Sequence, residues 1–366
     1  MQRADVARMG YDAVMIADVV IGSMRRARAR IDRDALAACK YDARGRPLRG
    51  RRAELEALAA MGAREPSLGR IYEAHATATQ LVALYGNATQ RELAHHDVDC
   101  GELFALWHGE EASPVRIERR GDACMLGGTK TWACAADSAT RALITARRSD
   151  GLVQLCLVPL DRCHVLVDDT GWHPIGLAGS NCFRVCFDGI EITTGDLIGA
   201  PGDYERNPWL LGGALAGAAV QTGIIERIAR ETIEYLRCRN GATDPHRHGR
   251  LGSLRMAAQS ARNWLRTGQE AWSEYDAAPS EAAANRVIDA VDMARIGVER
   301  AAHDAIELAS RCIGPAGLLR PLPFAQLLAD LHMYLCLPGA DDVLARVGET
   351  GLLRTLAERP AAAALP

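Results

Sequence analysis

The stretch GDACMLGGTKTWACAADSATRALITARRSDG, residues 121–151, contains short runs in which apolar and polar residues alternate. Glycine, aspartate and serine separate these runs, as expected where strands are joined by tight turns. The same texture extends from about Glu102 to Thr194, in VRIERR, VQLCLVPL, HVLVDD and FRVCFDGIEI. Several short strands at close spacing predict a β-sandwich or barrel.

The chain on either side of this β region is predicted to be helical. In IYEAHATATQLVALYGN, Ile71, Ala74, Ala78 and Leu81 recur at helical spacing. Beyond about residue 206, helical segments alternate with Gly- and Pro-rich stops, and helices joined by short loops pack as an antiparallel bundle. The predicted fold class is therefore α+β and mostly helical. Its predicted domains are an N-terminal helical domain (1–101), a middle β domain (102–200) and a C-terminal antiparallel helical bundle (201–366).

Composition excludes several classes of function. The 366 residues carry a formal net charge of -3, so no basic surface for nucleic acid is expected. The run Arg25–Arg33 is interpreted as a solvated helix face. No apolar run of signal-peptide or membrane-spanning type occurs, which predicts a soluble, cytoplasmic protein with no membrane partner. The eleven cysteines lack C-x-x-C spacing, and we expect reduced core thiols and no metal site.

Four segments, in order over about residues 65–350, resemble the acyl-CoA dehydrogenases. They are the stretch at 121–151, GWHPIGLAGSNCFRVCFDGIEITTGDLIG, GGALAGAAVQTGIIERIARETIEYLRCR and RCIGPAGLLRPLPFAQLLADLHMY. In that family FAD lies between the β domain and the C-terminal bundle, and a neighbouring subunit completes the cofactor site. The resemblance implies an FAD-dependent oxidoreductase that acts on an acyl thioester of CoA or a carrier protein, or on a related small substrate. It also implies a homo-oligomer, a dimer or a tetramer.

The resemblance assigns two groups of residues to the flavin ring. Trp132 and Cys134 match the Trp and Thr that the family places against the ring, with a weakly donating thiol in place of the hydroxyl. Phe104, Leu106 and Trp107 match the strand that leads into a flavin loop, which is shortened here to HGEEASP. The other interpretation of Trp132 and Cys134 is a core tryptophan and a core cysteine of the β domain.

Four further residues are assigned to the nucleotide end of FAD. Arg239 matches an arginine that reaches the FAD of the neighbouring subunit, and a guanidinium suits a pyrophosphate. Arg311, Gly314 and Gly317 match the loop Q-x-x-G-G-x-G, with arginine in place of glutamine and Pro315 in place of the second glycine. The alternatives are an exposed arginine at a helix end and glycines that end a helix.

The catalytic glutamate of the family is missing. The residue that would remove the α-proton of the thioester falls on Pro338, and a second position used by some members falls on Gly213. Neither can accept a proton. The substitute catalytic candidates are two aspartates near Pro338 and two residues where the family lines its deep substrate pocket: Asp341, Asp342, Glu73 and His75. The aspartates also fit the N-terminus of the last helix.

Three explanations for the missing glutamate remain open at this point. A substitute carboxylate acts; or the reaction needs no α-proton base, as in related flavoproteins that oxygenate their substrates; or the chain is a non-catalytic partner in a hetero-oligomer. The primary prediction is oxidation of an acyl thioester. The alternatives are a flavin-dependent monooxygenase or oxidase of the same fold, and a partner subunit. Glu110 and Glu111, in the shortened loop, are expected to be solvated.

Overall fold

The computed structural model describes residues 39–110, 113–238, 244–319, 321–337 and 339–357. Arg239, the run Arg25–Arg33, Glu111 and Pro338 lie outside these residues. The described helices are α1 (Arg51–Arg64), α2 (Pro66–Tyr85), α3 (Ala88–Cys100), α4 (Gly212–Cys238), α5 (Pro245–Ala277), α6 (Glu281–Gly317), α7 (Phe324–Leu335) and α8 (Ala340–Ala357).

Local sequence signals begin and end the N-terminal helices. Pro66 occupies the first turn of α2, where its missing N–H costs nothing. The side chains of Asn87 and Gln90 form a capping box at the start of α3. Gly101 ends α3 in a left-handed conformation. Helix α2 is buried almost throughout, so it is a central helix.

The middle region is built from two sheets. Its strands are β1 (Phe104–Trp107), β2 (Arg116–Arg120), β3 (Ala123–Gly127), β4 (Thr129–Ala133), β5 (Arg141–Arg147), β6 (Val153–Pro159), β7 (Leu166–Asp168), β8 (Phe183–Cys186), β9 (Ile190–Thr193) and β10 (Leu197–Ile198). The larger sheet has the order β10-β6-β5-β2-β3-β9, with β1 paired parallel to β5. The smaller sheet has the order β4-β8-β7. A core that includes Trp107, Val185 and Phe187 fills the space between the sheets.

The C-terminal bundle packs on the N-terminal helices through close backbone contact. A Cβ atom at Gly223 of α4 would lie 1.9 Å from the backbone oxygen of Ala59 in α1, and one at Gly62 would lie 2.2 Å from that of Val220. Only glycine fits at either place. Within the described residues, the run Trp209–Cys238 is long and apolar enough to cross a membrane, but 56% of its most apolar window is buried in the protein. Such burial is typical of the central helix of a bundle.

Helix α6 is interrupted near its end. Gly314 has φ 62° and ψ -174°, and Pro315 follows it. The left-handed φ requires glycine, and proline then starts a new turn. The structure therefore places a sharp break at the loop that the resemblance singled out. The predicted fold class, α+β and mostly helical with a middle β region and a C-terminal helical bundle, is confirmed.

Candidate functional site

An exposed tryptophan marks the edge of the smaller sheet. Trp132 stands in β4 with φ 55°, and 58% of its surface is exposed. The edge of its ring meets Trp172 at 6.0 Å between centroids, and Trp172 in turn meets Phe183 at 6.4 Å. These aromatics line a cavity of about 150 Å³ together with Thr131, Cys182 and Arg184. A bare indole face beside an aromatic recess suits a planar ring system.

Cys134 is bonded to Cys182 in a disulfide. The expectation of reduced cysteines throughout is therefore wrong for this pair, and Cys134 has no S–H with which to donate to a flavin. The strand register gives the reason, because Ala133 pairs with Phe183 across the antiparallel strands β4 and β8. The next residues outward, Cys134 and Cys182, consequently face each other.

Backbone strain is concentrated in the two segments that this disulfide joins. Among the described residues, the non-glycine residues with positive φ are Trp132, Ala135, Leu177 and Asn181. All four lie at 132–135 or 177–181. Each such conformation costs about 1–3 kcal/mol and persists only where the surroundings enforce it, which happens most often at functional sites.

Two buried polar atoms in or next to the two strained segments have no partner among the described residues. They are Oγ1 of Thr131, a residue 3% exposed, and Oδ1 of Asn181, a residue 2% exposed. Leaving a buried polar atom unsatisfied is costly, and such atoms commonly mark a place where a ligand binds. A flavin ring, with several hydrogen-bonding atoms along one edge, would give them partners. The residues present therefore fit a flavin at this edge.

The three residues predicted on β1 mostly belong to the core. Phe104 is fully buried, and its ring meets that of His75 at 5.8 Å. Trp107 packs on Phe187 at 6.3 Å, and its indole N–H donates to the backbone oxygen of Cys134. Leu106 is only partly buried. Trp107 thus connects the buried core to the backbone next to Trp132 by a hydrogen bond.

A buried polar cluster lies between α2, α4 and α7. Glu73, 5% exposed, forms an ion pair with Arg70, one turn earlier on α2. The Tyr334 hydroxyl of α7 donates to Oε2 of Glu73 over 3.5 Å. Burial raises the pKa of Tyr334, and the charge of Arg70 opposes that rise. Glu73 is therefore a carboxylate already engaged by a cation and a phenol.

The α4 position that some family members use for the base carries no side chain. A Cβ atom at Gly213 would lie 3.4 Å from both Oγ1 and Cγ2 of Thr77, an ordinary van der Waals distance. One turn along α4, a Cβ at Gly217 would lie 3.2 Å from Oε2 of Glu73, which is tighter than most such contacts. Thr77 and Glu73 of α2 thus lie directly over these two glycines.

The two histidines near this cluster differ in role. His75 is fully buried, and its Nδ1 accepts a hydrogen bond from the backbone N–H of Phe104 at 3.1 Å, which fastens α2 to β1. His108 follows β1 and has an exposed outer part. Partial burial of its ring, followed by the charges of Arg70 and Lys130, lowers the pKa of His108 to about 4. Helix α2 and strand β4 both pack against β1, and His108 lies just beyond the end of β1, near Arg70 and Lys130; we call this region the cleft.

The remaining predicted residues lie apart from this cleft or outside the described chain. Asp341 and Asp342 are exposed in the first turn of α8, where carboxylates favour a helix N-terminus. Arg311 is exposed and pairs with Glu307 at 2.7 Å. Gly314 forms the break in α6, and a Cβ at Gly317 would lie 2.4 Å from that of Ile313.

The interactions of two residues at the site, Lys130 and Asp330, were not predicted from the sequence. Lys130 is fully buried, and its ammonium donates to Glu110 and to the hydroxyl of Thr145, each at 2.7 Å. Glu110 is thus partly buried and paired, and the expectation that it is solvated is wrong. Burial lowers the pKa of Lys130, and Glu110 opposes this. Asp330 accepts from the backbone N–H of Leu177 at 2.7 Å, which ties the strained segment to α7.

Helices, a two-sheet β region and a helical bundle, in this order, define the acyl-CoA dehydrogenase-like fold, and the chain has this fold. Residues 210–353 match the sequence profile of the acyl-CoA dehydrogenase C-terminal domain. No curated protein sequence matches the chain significantly.

Solved structures share the fold at low sequence identity. Dibenzothiophene monooxygenase TdsC from Paenibacillus sp. A11-2 is 19% identical, with a TM-score of 0.75 over 82% of this chain and 83% of its own. KijD3, in complex with FMN and a dTDP-linked amino sugar, is 16% identical, with a TM-score of 0.73 over 85% of this chain and 81% of its own. FkbI, for biosynthesis of a methoxymalonyl extender unit, is 19% identical, with a TM-score of 0.74 over 93% of this chain and 99% of its own.

The Lys130–Glu110 pair gives a testable prediction about the frame of the site. Glu110→Gln removes the negative charge that compensates the buried ammonium and leaves it only neutral acceptors, the amide oxygen and the Thr145 hydroxyl, so we expect a loss of about 2–4 kcal/mol in the free energy of unfolding. The control is Glu118→Gln, whose carboxylate is exposed and pairs with the exposed Arg120. It should change stability by less than about 1 kcal/mol. Urea unfolding followed by circular dichroism measures both, and equal losses would contradict the buried pair.

Proposed function

We propose that the chain is a flavin-dependent oxidoreductase that binds the flavin ring against Trp132 and uses it to oxygenate a small organic substrate. A bound flavin, once reduced, supplies the means to activate molecular oxygen. The protein's own residues bind and orient the ring and the substrate and shield them from water. The observation that carries the oxygenation mode is that Glu73, the carboxylate that lies over the glycines of α4, is already paired with Arg70.

The edge of β4 is the proposed binding site of the flavin ring. The indole of Trp132 offers an open aromatic face, and Thr131 Oγ1 and Asn181 Oδ1 are buried atoms that need partners. Stacking and a small number of placed hydrogen bonds are the usual means of orienting a planar cofactor. The disulfide and the bond from Leu177 to Asp330 hold this edge in position.

We propose oxygenation, and not dehydrogenation, because the cleft offers no free catalytic base among the described residues. A base that removes an α-proton must be a free carboxylate within reach of the substrate. Glu73 is paired with Arg70 and accepts from Tyr334, so it is not a free carboxylate. Oxygenation needs no such base. The neutral ring of His108 and the guanidinium of Arg70 are then suited to orient a polar group of the substrate.

The second candidate function is the oxidation of an acyl thioester. Its proposed base is Glu73, since Asp341 and Asp342 stand exposed on α8 and His75 is buried and accepts from the backbone of Phe104. FkbI, named for biosynthesis of an acyl extender unit, supports this candidate, whereas TdsC, named a monooxygenase, supports oxygenation. A homo-oligomer and a cytoplasmic location remain predictions of the sequence.

We also propose which flavin the protein binds. FAD was predicted from the resemblance, yet Arg311 pairs with Glu307 and Arg239 lies outside the described residues. TdsC and KijD3 have structures with FMN. We therefore expect FMN to bind at least as tightly as FAD, because the adenosine half gains little from an engaged Arg311. Titration of the flavin-free protein with each nucleotide tests this.

Thr131→Val and Trp132→Ala test the flavin site. Removing the indole should raise the Kd for FMN about tenfold or more, because ring stacking and buried area are lost. Valine should raise the Kd about 3- to 10-fold, through loss of one hydrogen bond. It should leave the unfolding midpoint of the flavin-free protein unchanged or higher, since the hydroxyl has no described partner. Thr129→Val, on the same strand, is the control. Unchanged affinity in both site variants would place the flavin elsewhere.

Glu73→Gln separates the two candidate functions. The flavin-loaded protein is mixed anaerobically with a panel of acyl-CoAs, and separately reduced and exposed to ¹⁸O₂ with indole, a molecule recorded bound to TdsC. For a monooxygenase we expect ¹⁸O in the product, no bleaching by acyl-CoA, and a loss of several-fold at most in Glu73→Gln. Bleaching by an acyl-CoA that falls about 10²- to 10⁴-fold in this variant would instead establish the dehydrogenase. Glu56→Gln, an exposed carboxylate on α1, is the control.

A further inference from the structure

The disulfide between Cys134 and Cys182 closes a small structural unit at the flavin edge, which we call the clasp: residues 132–137 and 177–182. Besides the S–S bond, three hydrogen bonds join its segments: from the N–H of Ala135 to Ser180 O at 2.8 Å, from the N–H of Ala136 to Asn181 O at 3.2 Å, and from Asn181 Nδ2 to Asp137 Oδ2 at 2.8 Å. The clasp contains every non-glycine residue with positive φ among those described. A covalent bond therefore fastens the most strained backbone of the described chain.

The two sulfurs are placed where small oxidants and reductants can reach them. Cys182 lines the open cavity of about 150 Å³ beside Trp132 and Trp172. Cys134 is 2% exposed and Cys182 is 8% exposed, so large molecules are kept away. The other nine cysteines are free, and eight of them lie outside the two strands β4 and β8 that meet here.

We propose that the Cys134–Cys182 pair is a reversible redox clasp, and that its closed, oxidised form binds flavin more tightly than its open, reduced form. This inference rests on the proposed function for the flavin, but the redox chemistry of the pair does not. Closing consumes one peroxide: two thiols and H₂O₂ give the disulfide and two waters. Opening consumes one dithiol, which becomes a cyclic disulfide as the two cysteine thiols form.

The oxidant has a source in the chemistry already proposed. Reduced flavin that meets oxygen without a substrate releases hydrogen peroxide, here beside Cys182. The direction of coupling follows from the strain. When the clasp opens, Trp132 and Ala135 lose one of the restraints that enforce their left-handed conformations and can relax. The indole then leaves the position that fits the ring. The free thiol of Cys134 is a weak donor and compensates little.

The experiment measures thiols and flavin affinity on the same samples. The full chain is treated with H₂O₂ or with dithiothreitol, desalted, and divided. One part is unfolded and alkylated with a maleimide, and the adducts are counted by mass spectrometry. The other part is titrated with FMN. We expect nine adducts after peroxide and eleven after dithiothreitol, from the nine free cysteines and the bonded pair. The Kd should be about fivefold or more higher in the reduced form, the lower end of ordinary coupling between two sites.

Two variants test whether the Cys134–Cys182 pair, and not a folding defect, causes the change in flavin affinity. Cys182→Ser should bind FMN with the affinity of the reduced protein under both treatments. Cys186→Ala, on the same strand β8 but free, should retain the full response, with eight and ten adducts. Eleven adducts in both wild-type samples would overturn the clasp and leave the flavin proposal standing. Equal Kd values with nine and eleven adducts would overturn the coupling. Absence of flavin binding in both forms would overturn the coupling together with the proposed function.

Discussion

The contact between α2 and α4 determines what chemistry this cleft can perform. Thr77 and Glu73, one turn apart on α2, lie over Gly213 and Gly217, one turn apart on α4. Because neither glycine has a side chain, α2 approaches closely and its polar groups fill the interface. The carboxylate that reaches this interface is Glu73, and it is held by Arg70 and Tyr334. With glycine at residues 213 and 217, α4 itself supplies no base at this interface.

The other wall of the cleft is held by interactions of a different kind. Lys130, Glu110 and Thr145 form a buried polar link beneath β4, and Trp107 donates to the backbone of Cys134 from the core. These contacts, with the disulfide, fix a strand edge whose backbone would otherwise relax. The result is an exposed indole and two unsatisfied polar atoms in a rigid frame. Strain at a ligand site is useful because folding of the protein, and not binding of the ligand, supplies the free energy that orders the site.

Much of the fold could be predicted from the sequence, because its signals are local. The alternation within residues 121–151 indicates strands, the spacing of Ile71 to Leu81 indicates a helix, and Gly314-Pro315 indicates a helix break; each is present in the structure. The resemblance also directed attention to Glu73, which the structure places in the cleft. These signals depend on neighbours in the chain or on ordered motifs, and tertiary packing reinforces them.

The errors share one cause, which is dependence on contacts between distant segments. The pairing of Cys134 with Cys182 follows from the register of β4 and β8, and the burial of Glu110 follows from Lys130, twenty residues away. Asp341 and Asp342 lie close to Pro338 in sequence, but their place in the first turn of α8 leaves them in solvent. Sequence distance is a poor guide to which carboxylate enters a cleft, because the helix axis sets the direction of its side chains.

A crystal structure of the protein soaked with FMN would show whether flavin binds at Trp132. We expect a flavin ring stacked on Trp132, with a polar atom of the ring within hydrogen-bond distance of Thr131 Oγ1 and with Glu73 still paired to Arg70. A flavin bound elsewhere on the chain, or a crystal without flavin after saturating soaks, would contradict it. A ring at Trp132 with Glu73 turned away from Arg70 toward the substrate would keep the flavin site and favour dehydrogenation over oxygenation.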